Sequence, residues 1–170
     1  MHVVAVTPKS TRGMIYWSNG HSIPCALGRS GRRCMKREGD GATPIGSWAI
    51  DQVYYRRDRL KPPTTTPTAR PIQLSDGWCD DPTDPRYNCP VQLPYHGSHE
   101  ILSRADHVYD LLLVLNYNRR PRLLNRGSAI FCHLARKNFE PTEGCIALRE
   151  RDLRLVLLRT KRGDQFVVRG

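Results

Sequence analysis

Between Arg56 and Pro94 the chain carries Pro62, Pro63, Pro67, Pro71, Pro82, Pro85, Pro90 and Pro94. Each proline fixes φ and removes a backbone donor, so this segment supports neither a helix nor a long strand ladder and reads as surface loop. A plain linker has the same composition, but so many irregular residues inside one compact domain better suit the wall of a functional cleft. The length of 170 residues fits one domain with a single core.

On both sides of that segment the pattern is β. Residues 2–7 are rich in β-branched side chains, and residues 14–17 and 23–27 flank Ser18-Asn19-Gly20 as a hairpin. Residues 28–46 are dense in glycine and basic residues, after which Trp48, Ile50, Val53 and Tyr54 mark a strand over 47–55. Further strands are expected at 109–117, around the run from Leu111 to Leu115, at 128–134, at 145–148 and at 165–168. Helical spacing is convincing only over 150–160, where Leu153, Val156 and Leu157 recur before Lys161-Arg162-Gly163. The expectation is a mainly β fold with one packed helix and long Pro-rich loops.

Charge and cysteine usage narrow the function classes. Lys plus Arg number 27 against 16 Asp plus Glu, a net +11 that favours polyanionic partners. The basic residues are scattered, without a zinc-ligand, helix-turn-helix or RRM signature, so nucleic acid is not the expected partner. No apolar run approaches the roughly 20 residues of a membrane span. The first seven residues lack the basic and apolar regions of a secretory signal. The cysteines are Cys25, Cys34, Cys79, Cys89, Cys132 and Cys145, with no C-x-x-C pair, so neither a metal site nor a cofactor is expected. If Cys145 is a free thiol, the other five allow up to two disulfides.

Cys145 is the candidate nucleophile. A cysteine attacks as thiolate, which needs a base within reach, and His133 ends an apolar segment shortly before it. Gly144 permits a tight turn, and amides there would suit an oxyanion. A structural cysteine beside an unrelated histidine is the competing account of the pair. Cys132 points away from His133 if the segment is a strand and reads as a core thiol. Trp17, Trp48 and Trp78 read as packing residues, and His107 and Tyr109 as packing or surface.

His133 followed by Thr142-x-Gly144-Cys145-Ile146-x-Leu148, with Thr43-Pro44-Ile45-Gly46 upstream, resembles the signature of the L,D-transpeptidase (YkuD-type) catalytic domain. The resemblance spans roughly residues 3–168 and implies a β-sandwich fold. It implies that Cys145 forms a thioester with a peptidoglycan stem peptide, with His133 as base oriented by a backbone carbonyl near Leu134. The order of His before Cys differs from papain-like and NlpC/P60-type peptidases. Many members of the family carry Arg two residues after the nucleophile, where this chain has Ala147. Arg149 and Arg136 are therefore both candidates for the substrate charge, and both are equally read as solvated surface arginines. Thr142 is a further candidate contact. So is His99, in a Ser-His-Glu element, where a turn histidine bonded to backbone is the plain alternative. The expected activity is a peptidoglycan L,D-transpeptidase, periplasmic or at the cell wall. The alternatives are an L,D-carboxypeptidase or amidase of the same fold and a noncatalytic polyanion- or wall-binding module.

Overall fold

The computed structural model describes every residue except Ala5, Val6 and Arg162. The strands are β1 (His2–Val4), β2 (Arg12–Tyr16), β3 (Ser22–Ala26), β4 (Arg32–Arg33), β5 (Thr43–Pro44), β6 (Gly46–Tyr55) and β7 (Ala69–Pro71). They continue as β8 (Asp76–Cys79), β9 (Cys89–Gln92), β10 (His99–Ile101), β11 (Leu111–Leu115), β12 (Phe131–Leu134), β13 (Ile146–Leu148) and β14 (Gln165–Val168). One α-helix, α1 (Glu150–Arg159), lies between β13 and β14, and a 3-10 turn spans Lys137–Phe139. The fold is mainly β with a single packed helix, as the pattern of the sequence implied. The expected continuation of β1 through Ala5 and Val6, and Arg162 beyond α1, lie outside the described residues.

Nine strands make one sheet in the order β11-β12-β13-β3-β2-β1-β14-β6-β7, and β6 also pairs with β11, so the sheet closes on itself. Its inner face encloses the main core. Val3, Ile15, Ile23, Leu111, Leu113, Cys132, Ile146 and Phe166 meet there with Leu153, Val156 and Leu157 of α1. Those three helix residues stand at i, i+3 and i+4, the spacing that turns one face of a helix inward, while Leu158 on the other side is exposed.

Because side chains alternate along a strand, the same strands present a second face. Leu112, Val114 and Phe131 point away from the main core and pack with Tyr54, Trp78, Leu102, Tyr109 and Cys145 in a second apolar cluster. The cover for that face is the Pro-rich region, which the sequence reading took for loops. It contains β7 and two strands of a small sheet ordered β10-β8-β9. The prolines respect the hydrogen bonding: Pro90 lies on the edge strand β9, and the central strand β8 has none. Trp78 of β8 is buried edge-on against Phe131 at 5.3 Å and donates its indole N–H to Asn88.

Boundaries shift where backbone demands it. The strand expected over 128–134 begins only at Phe131 because Ala129 takes φ 49°. All six cysteines are free thiols, so the disulfides that their number allowed are not formed. Among the described residues no helix is long and apolar enough to cross a membrane. Leu153→Ala, which opens a cavity where α1 meets the sheet, is expected to cost about 2–5 kcal/mol in urea unfolding. A loss under about 1 kcal/mol would contradict the helix's place in the core.

Candidate active site

The strand register brings His133 and Cys145 together. β12 and β13 run parallel with His133 opposite Ala147, and Cys145 lies two residues before Ala147, so both candidates share the outer face of the sheet with Phe131. Cys145 is 8% exposed and His133 5%. Both line one cleft of about 280 Å³.

The segment that delivers Cys145 is fixed by short polar contacts. Thr142 Oγ1 donates to the carbonyl of Cys145 at 2.6 Å and accepts the Gly144 N–H at 3.1 Å. Gly144 has φ +135°, and a Cβ there would stand 2.8 Å from the Ala42 carbonyl oxygen, so glycine is required twice over. The neighbouring chain is tied in as well. Thr142 N–H donates to Leu27 O, Arg29 N–H to Thr142 O, and Gly28 N–H to the buried Thr43 Oγ1. The Thr43-Pro44-Ile45-Gly46 element thus supports the nucleophile segment through its threonine. Thr142, read from the sequence as a substrate contact, has its hydroxyl engaged with backbone. The Gly144 amide, read as an oxyanion donor, is directed to that same hydroxyl.

His133 Nδ1 lies 2.9 Å from its neighbour's carbonyl oxygen, Leu134 O. That contact places the proton on Nδ1 and leaves Nε2 as the acceptor. The Tyr109 ring stands edge-on to the imidazole at 5.5 Å. The Cys145 thiol donates to Ala129 O at 3.2 Å and accepts the Phe131 N–H at 3.4 Å. Burial pushes the Cys145 pKa up to about 12 despite the Phe131 N–H. Burial also pushes His133 down to about 4, against the pull of the Leu134 carbonyl and aided by Arg136 and Arg104. Thiol and imidazole are therefore both neutral near pH 7.

The two arginine candidates part company. Arg136 lines the cleft and sits 3.6 Å from Asp106. Arg149 precedes α1, stacks over the Phe139 ring at 5.2 Å and is not among the cleft-lining residues. A strand running through 149 would have preserved the parity with Ala147, but the chain leaves β13 at Leu148 to start the helix. His99 bonds the Gly97 carbonyl through Nδ1 at 2.7 Å and lines a neighbouring recess rather than the cleft that holds Cys145 and His133. Its neighbour Glu100 lines both that recess and the cleft.

Sequence reasoning missed Lys36, Glu38, Asp80, Glu100, Arg104 and Tyr109, all of which line the cleft. Tyr109, read as packing or surface, donates its hydroxyl to Glu100 at 3.0 Å, and Arg104 lies over its ring at 5.1 Å. Burial raises the Glu100 pKa, with Asp80 and Glu38 adding to it and the Tyr109 hydroxyl opposing it. The signal for Glu100 was available, since on a strand the residue after His99 faces the other way. Lys36 and Arg104 carried none, because each reaches the cleft from a loop. Among the described residues no group of His, Cys, Asp and Glu is arranged to hold a metal ion.

The model of the YkuD family, described as the L,D-transpeptidase catalytic domain, matches residues 2–168. No curated protein gives a significant match.

Two pH dependences follow. Site-resolved alkylation of Cys145 by iodoacetamide is expected to be slow at pH 7 and to keep rising toward pH 12, and a plateau near neutrality would show a preformed thiolate instead. For stability, His133 binds its proton less readily folded than unfolded. Its contribution is therefore complete above the ordinary value of 6.5 and lost as pH falls through about 4. Between those limits the wild type is expected to lose on the order of 3 kcal/mol more unfolding free energy than His133→Gln, measured by denaturant titration.

Proposed function

The chain belongs to the L,D-transpeptidase catalytic domain family, and from that premise we propose that it is a peptidoglycan L,D-transpeptidase working through a thioester on Cys145. The observation that carries this reading is that Cys145 and a backbone-oriented His133 line one cleft whose walls bear both signs of charge. Nucleophile, base and orienting acceptor are the three parts that covalent acyl transfer needs.

The donor is a stem peptide whose third residue is joined through an L-centre to a terminal D-amino acid. As Cys145 Sγ bonds to that carbonyl carbon, the thiol proton passes to His133 Nε2 and the carbonyl π pair moves onto oxygen. Collapse breaks the C–N bond, and the departing amine takes the proton from His133. The terminal D-amino acid leaves and the acyl group stays on sulfur. An amine of a second stem peptide then attacks the thioester, gives its proton to His133 and expels the thiolate, which regains that proton. Neutral partners suit this sequence, since the charge separation arises only while substrate fills the cleft and excludes water.

Arg136, with Arg104 beside it, is the group assigned to the donor's terminal carboxylate; guanidinium binds carboxylates through paired hydrogen bonds. Glu38, Asp80 and Glu100, the last 3.9 Å from Arg104, also line the cleft and give it an attraction for the amino group of a stem peptide. The net charge of +11 favours a polymer that exposes carboxylates. With that substrate the site of action is outside the cytoplasm.

Purified protein incubated with disaccharide-tetrapeptide and followed by mass spectrometry is expected to yield cross-linked dimers. Trimmed tripeptide without dimers would replace the reading with a carboxypeptidase, and unchanged substrate with a noncatalytic wall-binding module. Cys145→Ala is expected to abolish the product, whereas turnover by that variant would remove Cys145 from the mechanism. Arg136→Ala is expected to raise KM about tenfold with kcat less affected, and an unchanged KM would place the carboxylate elsewhere.

A further inference from the structure

Lys36 is 3% exposed, an unusual burial for a lysine. Its ammonium donates to Asp40 Oδ1 at 2.7 Å and weakly to the Arg37 carbonyl at 3.5 Å. Asp40 is itself held by the N–H groups of Arg37 and Ala42, each at 2.9 Å. The aliphatic stem runs so close to Gly127 that a Cβ there would lie 2.8 Å from it. The side chain is thus fixed along its length. It lines the same cleft as Cys145 and His133, and a Cβ added to Gly144 would stand 3.3 Å from Nζ.

An ammonium has three donors, and the protein engages two of them on Lys36. A buried ion pair seldom stabilises a fold more than apolar residues of the same volume, so its place beside the nucleophile segment calls for another reason. The Gly144 amide, one of the amides that would suit an oxyanion, is committed to Thr142. Positive charge from Lys36 also acts to lower the pKa of a thiol that burial raises.

We propose that Lys36 is a catalytic residue, its ammonium, anchored by Asp40, stabilising the negative charge that develops on the substrate carbonyl oxygen when Cys145 attacks. The proposal rests on the acyl-transfer reading of the site. Lys36 keeps its proton throughout: electrons move from the carbonyl π bond to oxygen and back, and His133 alone carries the transferred proton. The ligand class is the tetrahedral oxyanion of a peptide or thioester. A fixed cation in a site from which water is excluded acts there without reorganising.

Lys36→Met leaves the half-buried Asp40 without its cationic partner and lowers the melting temperature for that reason alone, so the decisive variant is Lys36→Met/Asp40→Asn. The double variant is expected to regain the melting temperature while kcat stays about 10²- to 10³-fold down and KM changes little. Recovery of kcat together with stability would reduce the pair to a structural strut and overturn the proposal. Lys36→Arg, which keeps a cation, is expected to retain more of kcat than Lys36→Met. A second readout uses no substrate: the pH profile of Cys145 alkylation is expected to move to higher pH in the double variant, and an unmoved profile also overturns the proposal. If wild-type protein transfers no acyl group while that profile does move, the transpeptidase reading fails and the action of Lys36 on charge at Cys145 stands.

Discussion

The site depends on the hydrogen bonds of Thr142. Its hydroxyl closes the turn before Cys145 on both sides, taking the Gly144 N–H and giving its own proton to the Cys145 carbonyl. Its backbone meanwhile joins Leu27 and Arg29, and Gly28 next to them is held by Thr43. Three segments far apart in sequence are locked by one buried threonine on each of two of them. Closeness is part of the lock: a Cβ on Gly28 would fall 2.3 Å from the Gly41 carbonyl oxygen, and one on Gly144 would meet Ala42. Any side chain at either glycine separates the segments and moves the nucleophile with them.

The same burial that orders the site sets its electrostatics. A thiol raised to about 12 and an imidazole lowered to about 4 cannot exchange a proton cheaply. Transfer must be coupled to bond formation or helped by a neighbouring charge. Protecting the thiol from premature ionisation also protects it from oxidation, since susceptibility follows thiolate character and exposure. Arg136 and Arg104 push the imidazole further toward its neutral form, so the charges proposed to meet a substrate carboxylate also keep His133 unprotonated.

Legibility in the sequence follows from how local each determinant is. The helix was readable because Leu153, Val156 and Leu157 repeat at its own period, and the β segments because runs such as Leu111 to Leu115 have no other use. Cys145 and His133, the proposed nucleophile and base, carry a compact motif and were named from it. The small sheet was missed because its strands are short and its prolines, confined to an edge and to connections, look like loop composition when topology is unknown. Arg149 stood beside Arg136 as a candidate on a parity argument that holds only for an extended chain, and a helix begins there instead. Lys36, Glu100 and Arg104 converge only after the sheet has closed, and no spacing encodes that.

The two faces of the sheet explain why a chain of this size spends so much length on the Pro-rich region. The inner face is filled by the main core and α1, and alternation sends Cys132 and Leu134 into it, so His133 and Cys145 must face outward. An outward-facing thiol and imidazole on a bare strand pair would be wet and would keep ordinary pKa values. A second layer is needed to dry them. Trp78 against Phe131 fastens that layer to the sheet, Leu102 and Tyr109 extend the contact, and Asp80, Glu100 and Arg104 hang from its rim into the cleft. The layer is therefore both roof and wall, and the short step from the core-facing Trp78 in β8 to Asp80 just past the strand's end ties the packing of one to the charge pattern of the other. Changes that loosen Trp78 should act on the site first through hydration of Cys145 and His133, before the closed sheet beneath is disturbed.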